Sequence, residues 1–391
     1  VTNTERQRID SVDLLRGIIM ILMALDHTRD YIGNVAASPT NLATTTTALF
    51  ITRWITHFCA PTFSLLTGVG AFLMLRSRTK REVSWFLLTR GLWLIVLELT
   101  VMRFFWQFNV DYHLTFVTVL WALGWSMIVL SALIFLPIPA IATIAIAMIA
   151  LHNLTDGFQP PPMTGVGLLW TLLHRPGPLF MKPGYLVFTG YPLIPWIAVM
   201  ALGFALGRVY TWPTERRRTF LLRAGLGCIA AFIVIRGANV YGDLRPWSPQ
   251  STALFTFFSF INANKTPPSL LYLLMTIGPA LLALRWFDSG TPRLLNPAVT
   301  IGRVPMFYFI AHVLLLHLIV VVEAFIRYGN AAITTQSPTP DKYPFTQPPG
   351  WPASLPVVYV SWIVVVLLLY PACRWYARLK ATHRSPLLSY L

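Results

Sequence analysis

The chain has 391 residues, 55% hydrophobic and only 11% charged, with a formal net charge of +16 and a mean hydropathy of +0.62. Soluble domains carry about 25% charged residues, so a water-soluble globular protein is excluded. A nucleic-acid partner is excluded too, because the cations stand in short runs beside apolar segments ("RSRTKR", "ERRR" at Glu215–Arg218 and "CRWYARLKATHR"), which is how membrane topology is written.

Ten spans are expected, at about 12–33, 50–75, 84–106, 114–136, 139–152, 190–210, 219–240, 268–287, 297–325 and 355–376. Each approaches the roughly 20 residues needed to cross a bilayer, the fifth ("IPAIATIAIAMIAL") being the shortest. Proline marks many ends, as in "LPIPA", "TPPS" and "QPPGWP". The first span lacks a small-residue cleavage site and carries Arg16, so it reads as a retained helix and not as a signal peptide.

That first span, "SVDLLRGIIMILMALDHTRDYIG", holds Arg16 one turn inside and Asp26 and His27 near its far end. A charge at mid-bilayer costs roughly 2.5–3.5 kcal/mol. Arg16 and His27 are eleven positions apart, hence within about 20° of one another and about 16 Å apart along the axis. Such a face suits an elongated anion, its head group at Arg16 and its reactive end at His27. The competing reading pairs Asp13 with Arg16 and Asp26 with Arg29 at i,i+3 near the interfaces, and it is preferred for Asp13, Arg29 and Asp30.

In the second span, "RWITHFCAPTFSLLTGVGAFL", His57 should lie at a depth similar to His27, and Gly68 and Gly70 permit close packing. The third carries Arg90, level with Arg16, and Glu98, about 80° around the helix. A second cation at that depth favours an anion such as a pyrophosphate, while Glu98 is expected to pair with a neighbouring helix. The seventh span and the loop after it gather Arg236, Asn239, Asp243, Asn262, Asn264 and Lys265. These groups suit a sugar or another polar acceptor equally as well as a solvated loop. In the ninth span His312 and His317 are about 140° apart, so one helix cannot offer both to one metal. A mixed site from His27, His57 and His312 is the remaining arrangement, and no metal is expected.

Cys59, Cys228 and Cys373 show no paired spacing, which supports neither a disulfide framework nor a Cys-based zinc site. Lys and Arg place both termini in the cytoplasm: Arg6, Arg8, the "RSRTKR" run, Arg208, Arg216–Arg218, Arg285, Arg293 and the C-terminal cluster then lie inside. The long loops, about 153–189, 241–266 and 326–354, lie outside, and the last is expected to be mobile. No internal repeat is evident, so residues 1–391 read as a single domain, and a transporter built from inverted repeats is disfavoured.

The stretches "RIDSVDLLRGIIMILMALDHTRD", "THFCAPTFSLLTGVGAFL", "YPLIPWIAVMALGFALG" and "NPAVTIGRVPMFYFIAHVLLLHL" resemble bacterial relatives of the heparan-alpha-glucosaminide N-acetyltransferase catalytic domain, from Arg8 to about Leu318. The Arg16–His27 spacing, the Phe63–Gly68 stretch and Arg90 also resemble bacterial membrane sugar O-acyltransferases. The resemblance implies transfer of an acetyl group from cytoplasmic acetyl-CoA, a co-substrate and not a bound cofactor, to an acceptor across the membrane. Arg16 and Arg90 would hold the donor and His27 would be the catalytic histidine. One departure stands out: the lysosomal member aligns Asn with His27 and has its working His in the next loop, where "NVAASPTNLATTTTALF" has none.

The expectation is therefore an all-α, polytopic transmembrane helix bundle of the bacterial inner (plasma) membrane. In it His27 and Asp26 are catalytic, Asp26 or Asp30 orienting the imidazole. Arg16 and Arg90 bind the donor, while His57, Arg236, Asn239, Asn262, Lys265 and His312 contact a sugar or glycan-like acceptor. Self-association is left open. The alternative is a proton-coupled transporter of a small polar solute, with His27, Glu98 and His312 as its relay.

Overall fold

The computed structural model describes residues 9–383, apart from 35–37, 291 and 331–335, together with residues 385 and 388. Arg6, Arg8 and Arg384, used above for orientation, lie outside the described residues. In chain order the helices are α1 (Asp10–Ile32), α2 (Thr47–Thr56), α3 (Cys59–Met74), α4 (Lys80–Leu97), α5 (Arg103–Gln107), α6 (Val119–Leu133), α7 (Ile138–Leu151) and α8 (Gly165–Leu173). They continue as α9 (Leu193–Gly207), α10 (Thr214–Ala238), α11 (Ala253–Ile261), α12 (Leu270–Phe287), α13 (Asn296–Arg303), α14 (Pro305–Tyr328) and α15 (Leu355–Thr382). Among the described residues eight helical segments are long and apolar enough to cross a membrane. The segment α6, Val119–Leu133, is apolar but shorter, and α1 carries five acidic or basic side chains along its length besides Asp10. The protein is a multi-pass, helical membrane protein.

Local chemistry explains the breaks. Thr79 and Glu82 form a reciprocal capping box that starts α4. The expected ninth span is two helices, because Pro305 disfavours helical geometry at Val304, whose φ is −131°. The second span kinks between α2 and α3. Pro61 has no N–H for the carbonyl of His57, and that oxygen instead accepts a bond from the Tyr272 hydroxyl at 2.7 Å.

The helical bundle is as expected, and the expected fourth span starts later than residue 114. Residues 114–117 of the expected fourth span form a strand, β1 (Leu114–Val117), beside a hairpin of β2 (Gly177–Lys182) and β3 (Tyr185–Thr189). The strand order is β1-β3-β2, with β1 parallel and β2 antiparallel to β3. "LTFV" is β-branched and aromatic and favours a strand, and α6 begins only after Thr118, whose N–H and hydroxyl both donate to Glu98.

Helix α1 is the hub, packed against α2, α3, α12, α13, α14 and α15. Its approach to α13 depends on glycine: a Cβ at Gly17 would overlap the Ala298 carbonyl, and one at Gly302 would overlap that of Asp13. Backbones this close are the usual way membrane helices gain packing energy. The hub position explains how α1 tolerates its charges, since they meet protein and not lipid.

Candidate functional site

The C-terminal end of α1 builds the site. His27 Nδ1 lies 2.7 Å from His312 Nε2 on α14, with the two rings within 9° of parallel. His312 is fully buried, and its Nδ1 is 3.0 Å from the carbonyl oxygen of Tyr308. A carbonyl only accepts, so His312 Nδ1 carries the proton and its Nε2 is an acceptor. His27 Nδ1–H then donates to that Nε2, which leaves His27 Nε2 with a lone pair. The hydrogen-bond network thus assigns a single tautomer to the pair. His27 is partly open where His312 is closed, and Trp106 stands edge-on to its ring at 4.9 Å.

Asp26 faces elsewhere. Its carboxylate accepts from Arg53 at 2.6 and 2.8 Å and from the Thr56 hydroxyl at 3.0 Å, and pairs with Arg29 at 2.9 Å. Asp30 pairs with Arg29 at 2.7 Å. Neither carboxylate orients the imidazole as expected; His312 occupies that position. The i,i+3 pairing of Asp26 with Arg29 is present as the competing reading had it, and Arg53 locks α2 onto α1.

At the other end Arg16 donates to Asp13 at 2.9 Å, to the Gly302 carbonyl at 3.3 Å and to the Leu66 carbonyl at 3.4 Å. It therefore lies where α1, α3 and α13 meet, with Gly70 beside it. Arg90 lies on α4, its guanidinium 5.8 Å from the Phe86 ring. It stands within electrostatic reach of Tyr376 on α15, and α4 packs chiefly on α6.

The expected acceptor groups divide. His57 is buried and its Nδ1 has no protein partner, and its charge environment includes Asp26, Arg53 and Lys265. Lys265 is half-buried in the loop between α11 and α12. Burial, and after it the charge of Arg53, push its ammonium down to about 8, against the opposing pull of Asp26. Arg236 and Asn239 require correction. Arg236 donates to the carbonyls of Phe260, Arg245, Ser259 and Asn262 at 2.8–3.4 Å. Asn239 is bonded both ways to the Trp247 backbone at 2.9 Å. Both side chains hold the loop together, and Arg236 is buried, where a polar group must find partners. The Asn262 amide likewise donates to the Thr40 carbonyl at 2.9 Å.

Reasoning from sequence missed two further parts. Glu98 opens a π-helical stretch, Glu98–Met102, of the kind often found at functional sites. Thr118 holds one of its oxygens, and the other is buried without a partner. Residues 336–354 form a strap across the C-terminal end of α1. Gln347, Trp351 and Ala353 donate to the carbonyls of Gly33, Tyr31 and Ile32 at 2.8, 2.9 and 3.0 Å, the groups a helix C-terminus leaves unsatisfied. At its start Ser337 bonds Asp111 and accepts from Arg103 at 3.1 Å. Burial would raise the Asp111 carboxyl, but the Ser337 hydroxyl and the His113 N–H outweigh it and hold it below its usual range. Tyr343 packs on Trp106 and Phe116.

The structure is thus a multi-helical membrane protein with a hydrogen-bonded histidine pair, His312 buried and His27 partly open, beside an aromatic strap. The family profile of the heparan-alpha-glucosaminide N-acetyltransferase catalytic domain matches residues 8–239. The chain belongs to that family and so to the membrane acetyltransferases. No curated protein matches the chain. The matched region includes Arg16, Asp26, His27, His57, Arg90 and Glu98 and stops short of His312, whose place rests on geometry.

Proposed function

We propose that the chain moves an acetyl group from acetyl-CoA, bound at the Arg16 end of α1, to a hydroxyl or amine of a sugar-like acceptor admitted beneath the strap. The observation that carries this reading is the His27–His312 hydrogen bond, anchored on the Tyr308 carbonyl. It prepares His27 Nε2 to accept a proton, the task of a general base. As the acceptor oxygen or nitrogen attacks the thioester carbon, its proton passes to His27 Nε2. When the tetrahedral intermediate collapses the C–S bond breaks, and the imidazolium returns the proton to the departing CoA thiolate.

Arg16, with Arg90, binds the CoA phosphates, and the pantetheine arm runs outward along α1. His312 is a positioning residue. His57, Lys265 and the unpartnered oxygen of Glu98 face the acceptor, with Trp106 and Tyr343 as aromatic platforms. In this reading ten segments cross the membrane, both termini are cytoplasmic, the membrane is a bacterial inner membrane and residues 1–391 act as one domain.

The test is calorimetric titration of the purified protein with acetyl-CoA, beside Arg16→Ala. Saturable binding weakened in the variant is the expected result. No binding up to millimolar acetyl-CoA overturns the reading, and uptake driven by a pH gradient without acetyl-CoA would put a transporter in its place.

A further inference from the structure

A cleft of about 690 Å³ lies far from the histidine pair, at the first turns of α10, lined by Trp212, Glu215, Arg216, Phe220 and Arg223 among others. The Arg216 guanidinium lies 4.6 Å over the Trp212 ring, and Phe220 meets that ring edge-on at 5.4 Å. Two neighbouring arginines are committed to the protein: Arg217 pairs with Asp288 at 2.8 Å and Arg218 donates to Ser289 at 2.9 Å. Glu215 leans 3.6 Å from Arg218, its side chain 85% exposed. Arg216 and Arg223 have no carboxylate partner among the described residues, and both are exposed.

Below the cleft the same face of α10 continues. Arg216, Phe220, Arg223, Gly227, Ala230 and Val234 are all exposed, and their spacing puts them within about 40° of a single line. Gly227 has open space where a side chain would stand, so the line is a shallow furrow between Arg223 and Val234. Its length, eleven residues or about 16 Å, is close to half the roughly 30 Å hydrocarbon core. Only 22% of the apolar window of α10 is covered by protein, so bilayer faces this furrow.

The geometry points to a bound anionic phospholipid, its phosphate between Arg216 and Arg223 and one acyl chain along Gly227 and Ala230. Charge complementarity favours an anionic head group, and basic pockets at the ends of membrane helices hold such lipids. The furrow favours a lipid over a soluble phosphate, which would leave it unused. This site is independent of the acetyl-transfer reading.

The test is native mass spectrometry of the full chain with phosphatidylglycerol, with phosphatidylcholine of the same acyl chains, and with glycerol 3-phosphate. Two surface cations at about fivefold each predict roughly 25-fold preferential retention of phosphatidylglycerol. The double variant Arg216→Gln/Arg223→Gln should remove the preference. Gly227→Leu, which fills the furrow without touching a packed neighbour, should weaken retention of both lipids a few-fold and leave the preference intact. Equal retention of the two lipids by the native chain, or a preference that survives the double variant, overturns the proposal. Displacement of the lipid by equimolar glycerol 3-phosphate overturns the lipid assignment.

Discussion

The two ends of α1 are built from the same local unit, Asp-x-x-Arg, and they differ in what the rest of the fold brings to it. At the N-terminal end Asp13 and Arg16 pair at 2.9 Å and Arg16 also reaches two backbone carbonyls. At the C-terminal end Asp26 and Arg29 pair at 2.9 Å, and a second arginine, a threonine and, one residue on, a histidine from α14 join them. Backbone carbonyls are fixed dipoles that hold a cation in place. Titratable side chains from other helices add a group able to take and return a proton. In the proposed function the N-terminal end therefore binds and the C-terminal end carries the chemistry.

Separating the two ends by mutation gives the largest effect. His27→Ala should cost about 10²- to 10⁴-fold in transfer rate, the usual contribution of a positioned base, while calorimetric acetyl-CoA affinity stays near native. Arg16→Ala should show the opposite pattern. If His27→Ala loses donor binding as well, the two ends are not separable and the comparison fails.

Stability separates the ends next. Asp26→Asn strands Arg53, whose side chain is 17% exposed and whose carboxylate partner is Asp26. Removing one partner of a buried pair costs about 3 kcal/mol or more. Asp13→Asn breaks a pair that is equally buried, its side chains 16% and 12% exposed, but it leaves Arg16 its two backbone carbonyls and should cost less. Thermal unfolding in detergent should rank Asp26→Asn well below Asp13→Asn, and equal melting temperatures would remove the distinction.

His312 sharpens the C-terminal end. His312→Leu removes the acceptor that sets the His27 tautomer, and loss of such a partner costs about 100-fold or more in kcat. His312→Gln keeps an amide oxygen for His27 Nδ1–H and should recover much of the rate, with the limb of the pH–rate profile that reports His27 restored. Equal losses in the two variants would mean that His312 only fills space.

Sequence alone made much of α1 legible, because helical periodicity is local: three positions put Asp13 by Arg16 and Asp26 by Arg29. It did not make His312 legible as the partner of His27, because 285 residues separate them and only the packing of α14 on α1 joins them. Arg236 and Asn239 misled for a related reason. A polar residue after a span looks the same whether it holds a ligand or the carbonyls of its own loop, and the difference lies in residues 245–262. The β1 strand was hidden because "LTFV" is apolar enough to extend a span, and its pairing partner lies some seventy residues on.

The smallest effect probes the mouth of the C-terminal end. Burial pushes the Lys265 ammonium from its ordinary 10.5 down to about 8, so it is charged below that pH and neutral above it. Between pH 8 and 10.5 the unfolded chain binds the proton that the folded chain has released, so folding stability gains with rising pH across that window. Lys265→Met lacks the group and lacks the gain. The melting temperature of the native chain minus that of the variant should therefore rise by a few degrees between pH 7.5 and 9.5. Parallel melting curves would mean that Lys265 is well solvated, and the C-terminal end of α1 would then lack the dry environment that the proposed base needs.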